Sequence, residues 1–235
     1  MVKKDTMTVS QAMQEIRDFV NLLEPEQAEE LRANLTLQSY KKNTVVYDYG
    51  DVPQYMYCLL RGKAKVVRQG IGMRPQIVRA IKPVDYFGYR AFFARENYRT
   101  VGATLEDSVI CLIPMPLIEH WMQTNIALSN FFVHLLSVYL GNSDQRLVTL
   151  TQKHIRGRLA DSLLFLHQNY GFKENSCCLN VGLSREDLAS LSNMTTSNAI
   201  RTLRSFADEG LIEIDGRHIF LLNIKTLENI SKSGE

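Results

Sequence analysis

Several classes of protein are excluded by what this 235-residue sequence lacks. No apolar run approaches the ~18 residues that a membrane-spanning helix requires. The opening stretch MVKKDTMTVSQAMQEIRDFV has two lysines but no apolar core of ~7–15 residues, so no secretion signal is expected. Only four cysteines are present (Cys58, Cys111, Cys177, Cys178), and none forms a CxxC pair. Zinc and iron–sulfur readings therefore lack their ligand spacing, and a reducing cytoplasm is the expected location. A marked charge of one sign is absent too. The formal net charge is +2, and residues 150–235 balance 10 Lys and Arg against 10 Asp and Glu, so any affinity for nucleic acid has to come from a local patch. No nucleophile–base motif or phosphate-transfer loop stands out, and the chain is read as a non-enzyme.

The composition that remains, 45% hydrophobic and 22% charged, is that of an ordinary globular protein, long enough for one large or two modest domains. Helical periodicity covers Gln11–Leu23 and, after the helix-starting Pro25, Glu26–Leu35. From about 40 to 114 the texture changes to short β-branched and aromatic runs: TVVYDY, QYMYCLLRG, AKVVRQ, QIVRAI, RTVGATLE and SVICLIP. Turn residues separate them, and the spacing predicts an all-β barrel or roll. Beyond Pro116 the pattern is helical again. One stripe carries Val133, Leu136, Leu140, Ser143, Leu147 and Leu150, and a second face carries Phe131, Phe132, Leu135 and Tyr139. A helix with two apolar faces needs two partners. A β domain and a second copy of the same helix satisfy that need; burial within one monomer is the other reading. A joint is expected at His154–Gly157, followed by an amphipathic helix ending at Gly171.

Residues 183–212 read LSREDLASLSNMTTSNAIRTLRSFADEGLI. Ser184 and Asp187 form a capping-box-like start, and Asn193 suits a tight turn. Thr195 is placed to cap a second helix whose buried side is read as Ala199, Ile200, Leu203 and Phe206. LIEIDGRHIFLL then forms a hairpin around Asp215–Gly216. Helix, turn, helix and hairpin make a winged helix-turn-helix. Its second helix offers Thr196, Ser197, Asn198, Arg201 and Arg204, short polar side chains and arginines suited to base edges and phosphates. From Leu188 to Ala207 the sequence has two arginines and no acid. A small helical protein-binding module is the alternative.

Taken together, the turn glycines Gly50, Gly62 and Gly88, Phe87–Gly88, Arg99–Thr100, GRLA at Gly157–Ala160 and the 183–212 block resemble the CRP/FNR (catabolite activator/fumarate-nitrate reductase regulator) family of bacterial transcription factors. The resemblance covers roughly residues 20–230. It implies an α+β fold: N-terminal helices and a cyclic-nucleotide-binding-like jelly roll (residues 1–125), a long dimerisation helix (126–153) and a winged-helix domain (154–235). It implies double-stranded DNA and a second copy as partners, with RNA polymerase added if the protein activates.

In members that sense cyclic AMP, the loop after Gly88 is a phosphate cassette. Its arginine pairs with the cyclic phosphate, and an acid directly after the glycine holds the ribose. Here Arg99 and Thr100 match, but Tyr89 and Arg90 stand where the acid is expected. The resemblance thus points to Gly88, Tyr89, Arg90, Arg99, Thr100 and, on the dimer stripe, Ser143 as effector positions, with cyclic AMP not expected to be the effector. Three readings stay open: another small anion held by Arg99 and Arg90, a vestigial site with Arg99 paired to Glu96 or Glu106, or heme. For heme the five histidines (His120, His134, His154, His167, His218) show no ligand arrangement, and the N-terminal cysteine cluster of iron–sulfur members is missing. A sensor module regulating another protein is a further alternative.

At the DNA end, family members often carry Arg–Glu where this chain has Thr196–Ser197, so a half-site differing from the best-known consensus is expected. Arg185, Arg217 and the joint residues Arg156 and Arg158 are read as phosphate contacts.

Overall fold

The computed structural model describes residues 7–70, 72 and 74–233. The first six residues, with the two lysines noted above, and the last two lie outside the described residues. The chain divides into two compact units, residues 7–66 with 81–139 and residues 67–80 with 140–233.

Three short helices open the first unit: α1 (Val9–Glu15), α2 (Arg17–Val20) and α3 (Pro25–Asn34). The single helix expected over Gln11–Leu23 is broken at Ile16, whose backbone leaves the helical region at φ −95°, ψ 30°. Ile16 is fully buried, so the break turns its side chain into the core. Strands β1 (Thr36–Tyr40), β2 (Val45–Tyr47), β3 (Tyr55–Arg61), β4 (Ala64–Gln69), β5 (Pro75–Ile81) and β6 (Tyr86–Phe87) follow, then α4 (Tyr89–Phe93), β7 (Val101–Thr104) and β8 (Ser108–Pro114). They form two four-stranded sheets, ordered β1-β8-β3-β6 and β2-β7-β4-β5. The expected β-roll is present. Its strand β1, TLQSY, is polar at three of five positions and mostly exposed, which is why periodicity did not reveal it.

The long helix α6 (Ile126–Gln152) follows α5 (Met115–Met122). Its first turns pack Phe131, Phe132 and Leu135 into a core shared with Phe19, Tyr86 and Trp121. Polar groups tie the N-terminal helices to this core. The Tyr86 hydroxyl donates to Asp18 at 2.9 Å, the Trp121 indole to Glu30 at 2.7 Å, and the Asn125 amide to the Leu22 carbonyl at 2.7 Å. Cys58 and Cys111 face each other across β3 and β8. Burial pushes both thiols up, Cys111 to about 12, so neither forms a reactive thiolate.

In the second unit, α7 (Ile155–Tyr170), α8 (Arg185–Leu191), α9 (Thr196–Asp208), the strands β9 (Ile212–Asp215) and β10 (His218–Leu221), and α10 (Ile224–Ser233) complete the fold. Leu159, Leu163, Leu188, Leu203, Phe206, Ile219 and Leu227 are its buried centre. The joint is shorter than expected. Helix α6 ends at Gln152 and α7 starts at Ile155 with His154 as its cap, so Arg156 and Gly157 are already helical. Gly171 ends α7 at φ 67°. The hairpin register is one residue later than read from sequence: Asp215 pairs with His218, leaving Gly216–Arg217 as the turn. Among the described residues, no helix is long and apolar enough to cross a membrane, and no group of three or more His, Cys, Asp or Glu is arranged to hold a metal.

Candidate nucleic-acid interface and effector loop

The helix-turn-helix is built by short-range chemistry. Ser184 accepts a hydrogen bond from the Asp187 amide and donates to its carboxylate, both at 3.0 Å, starting α8. Asn193 turns the chain at φ 49°, and its amide side chain makes it one of the few types that tolerate that region. Thr195 accepts from the Asn198 amide at 3.2 Å and caps α9. Ala199, Thr202, Leu203 and Phe206 form the buried side of α9. Ile200, assigned to that side from sequence, is instead 49% exposed. The reason is angular: at ~100° per residue, Ile200 lies about 100° from Ala199 and falls in an arc with Ser197, Arg201 and Arg204.

Ser197, Arg201 and Arg204 are exposed, while Thr196 and Asn198 are half-buried. Asn198 accepts from Arg201 Nη2 at 2.6 Å, which holds the guanidinium along the helix surface. The other arginines divide. Arg217 is exposed at the hairpin turn. Arg185 donates to the Gly216 carbonyl at 2.9 Å, fastening the wing to α8. Arg156, expected from sequence to contact phosphate, is engaged within the protein. It grips both Glu209 carboxylate oxygens, at 2.7 and 2.8 Å, and lies over the Phe206 ring. Those bonds hold the Glu209 carboxyl down at about 2. Arg158 is likewise turned inward, donating to the Leu150 carbonyl at 3.3 Å. Sequence reasoning missed Arg146, which is largely buried, donates to the carbonyls of Leu191 and Ile77, and lies over Phe165. Its sequence neighbours, Gln145 and Leu147, gave no signal of this, because the groups it meets come from distant parts of the chain.

In the first unit, Gly88 has φ 86°, and a Cβ there would lie 2.5 Å from the Tyr57 ring and 3.2 Å from the Tyr98 hydroxyl. Tyr47 stacks on Tyr98 at 4.0 Å and on Tyr57 at 5.6 Å, and Tyr57 stacks on Phe87 at 5.3 Å. Burial raises the hydroxyl pKa of Tyr57 and Tyr98, keeping both phenols neutral. Tyr89 is 3% exposed with its ring 5.7 Å from Phe132, placed in the core rather than at an open site. Arg90 meets one Glu96 oxygen at 2.7 Å and Arg99 meets the other at 2.9 Å. Of the two carboxylates suggested from sequence, Glu96 is thus the partner, while Glu106 pairs with Lys63 at 2.8 Å. The Thr100 hydroxyl is 3.3 Å from that of Tyr47. The guanidinium and the hydroxyl expected to converge on an anion are met by the protein's own groups. Ser143, half-buried on α6, belongs to the other unit.

Residues 37–125 match the cyclic nucleotide-binding domain family, and residues 157–230 match the Crp-like helix-turn-helix domain family. The chain belongs to the CRP/FNR family. The "CRP-like cAMP-activated global transcriptional regulator" of Mycobacterium tuberculosis is 21% identical over 87% of this chain and 92% of its own length. "Transcriptional regulatory protein btr" of Bordetella pertussis is 26% identical over 81% and 78%. Among solved structures, FixK2 from Bradyrhizobium japonicum has a TM-score of 0.74 at 20% identity, covering 83% of this chain and 96% of that one. CRP/FNR membership makes this chain a DNA-binding transcription regulator with a nucleotide-binding-like domain.

Proposed function

We propose that this protein acts in the cytoplasm as a homodimeric, sequence-specific regulator whose α9 helices enter successive major grooves of a pseudo-palindrome, about 34 Å apart. The observation that carries this reading is the face of α9: Ser197, Arg201 and Arg204 are exposed together, with Arg201 steadied by Asn198. Thr195, Thr196 and Asn198 lie at the start of the same helix, and Arg217 at the wing tip is the phosphate contact. Arg185 contributes by holding the wing turn to α8. The second copy is argued from α6, where Val133, Leu140 and Leu147 recur every seven residues and are 62–63% exposed. If the protein activates, RNA polymerase is its further partner.

The β-roll of this regulator does not take cyclic AMP. A charge-assisted acceptor of the kind an acid after Gly88 supplies is worth ~1.5–3 kcal/mol, about ten- to hundredfold in affinity. Tyr89 is buried and cannot replace it, and the space against Gly88 is filled by Tyr57 and Tyr98. Arg99 and Arg90 already share the carboxylate of Glu96, so each guanidinium has an internal counter-ion. The vestigial reading follows.

Selection from a random duplex library with the full-length protein tests the first part. It is expected to return an inverted repeat with half-sites one helical turn apart; recovery of no enriched sequence would refute the reading. Calorimetric titration tests the second: micromolar binding of cyclic AMP would overturn it.

A further inference from the structure

Ile200 has no structural task that explains its exposure. The buried side of α9 is complete without it, formed by Ala199, Thr202, Leu203 and Phe206. A β-branched residue is also a weaker helix former than alanine or leucine, so the position is not set by helix stability. Its neighbours on the exposed arc are Ser197, Arg201 and Arg204, polar or cationic groups that suit the edges and phosphates of a duplex. In the major groove the one strongly apolar feature a base pair presents is the C5-methyl of thymine. Isoleucine in a helix is held almost entirely in one χ1 rotamer, so it presents its methyl groups in a fixed direction at little entropic cost.

Resting on the DNA-binding reading above, we infer that Ile200 is a specificity-determining residue that packs against a thymine C5-methyl in the half-site. The thymine lies within a base step of the base pair addressed by Arg201. Adjacent helical residues rise ~1.5 Å, and successive base pairs are ~3.4 Å apart.

The test uses full-length protein and the duplex recovered from a random library, with affinity read by fluorescence anisotropy at fixed salt. Each thymine is replaced singly by deoxyuridine, which differs only in lacking the methyl. One thymine position per half-site is expected to lose about fourfold in affinity on this replacement, the scale of one buried methyl-sized group. Ile200→Ala changes both copies, so it is expected to weaken binding to the thymine duplex by about fourfold per half-site, roughly fifteenfold in all, and to become indifferent to uracil at that one position. It should keep its response to changes at the base pair read by Arg201, and Ile200→Val should restore much of the methyl dependence. The alanine replaces an exposed side chain and favours helix, so the domain stays folded. Uracil penalties unchanged in Ile200→Ala, or absent from the wild type, would overturn the inference while leaving DNA binding standing. Failure to enrich any sequence would instead refute the DNA-binding reading, and this inference with it.

Discussion

Leu140→Glu should separate the proposed dimer. Leu140 is 62% exposed and lies midway along the α6 stripe between Val133 and Leu147. Full burial of a leucine is worth ~1.5–3 kcal/mol, so covering the exposed part of this one contributes about 1–2 kcal/mol per chain. The substitution acts on both copies at once. It also brings a carboxylate from each copy into an apolar seam, at a further cost of several kcal/mol. A total loss of at least ~4 kcal/mol weakens self-association about a thousandfold. In sedimentation equilibrium at micromolar concentration, the wild type is expected near twice 26.9 kDa and the variant near 26.9 kDa. Far-UV circular dichroism should show equal helix content, because the residue is on the protomer surface. A variant that still sediments as a dimer, or a wild type monomeric throughout, would refute the assignment of the α6 stripe to a second copy.

Other consequences concern stability. Gly88→Ala meets both an unfavourable left-handed backbone, ~1–2 kcal/mol, and the Tyr57 ring at 2.5 Å, adding ~1–3 kcal/mol of overpacking. Gly50→Ala has a similar φ of 89° but nothing within 4 Å, so it should cost the backbone part alone; urea denaturation showing equal losses would contradict this. Arg156→Ala should lower stability by about 0.5–1 kcal/mol at pH 7, since the pair is more than a third exposed. The Glu209 carboxyl is depressed in the folded state from 4.5 to about 2, so its contribution is present above pH 4.5 and fades as pH falls through about 2. The difference between wild type and Arg156→Ala, measured by urea denaturation, should therefore be smaller at pH 3 than at pH 7. A difference that grows at pH 3 would be the contrary result.

Legibility in the sequence followed the range of the forces involved. Caps, turns and amphipathic stripes are local, and Ser184, Asn193, Thr195 and Gly171 all play the structural parts expected of them. Strand β1 was missed because its residues are polar and the pairing with β8 that defines it comes from the far end of the roll. The internal partner of Arg156 was not legible because Glu209 lies 53 residues away. Ile200 was misplaced because an apolar residue was taken as buried without asking which arc of the helix it occupies. In the effector loop, the missing acid after Gly88 was legible. The filling of the space beside it was not, since Tyr47, Tyr57 and Tyr98 come together from separate strands and loops.

Fluorescence anisotropy with the library-selected duplex, comparing wild type and Arg201→Ala, addresses the central claim most directly. Loss of the bidentate arginine contact should weaken binding by ~1–3 kcal/mol at each half-site, roughly five- to more than a hundredfold apiece, and erase discrimination at one base pair of each. Affinity and base preference untouched by the substitution would mean that α9 does not read DNA.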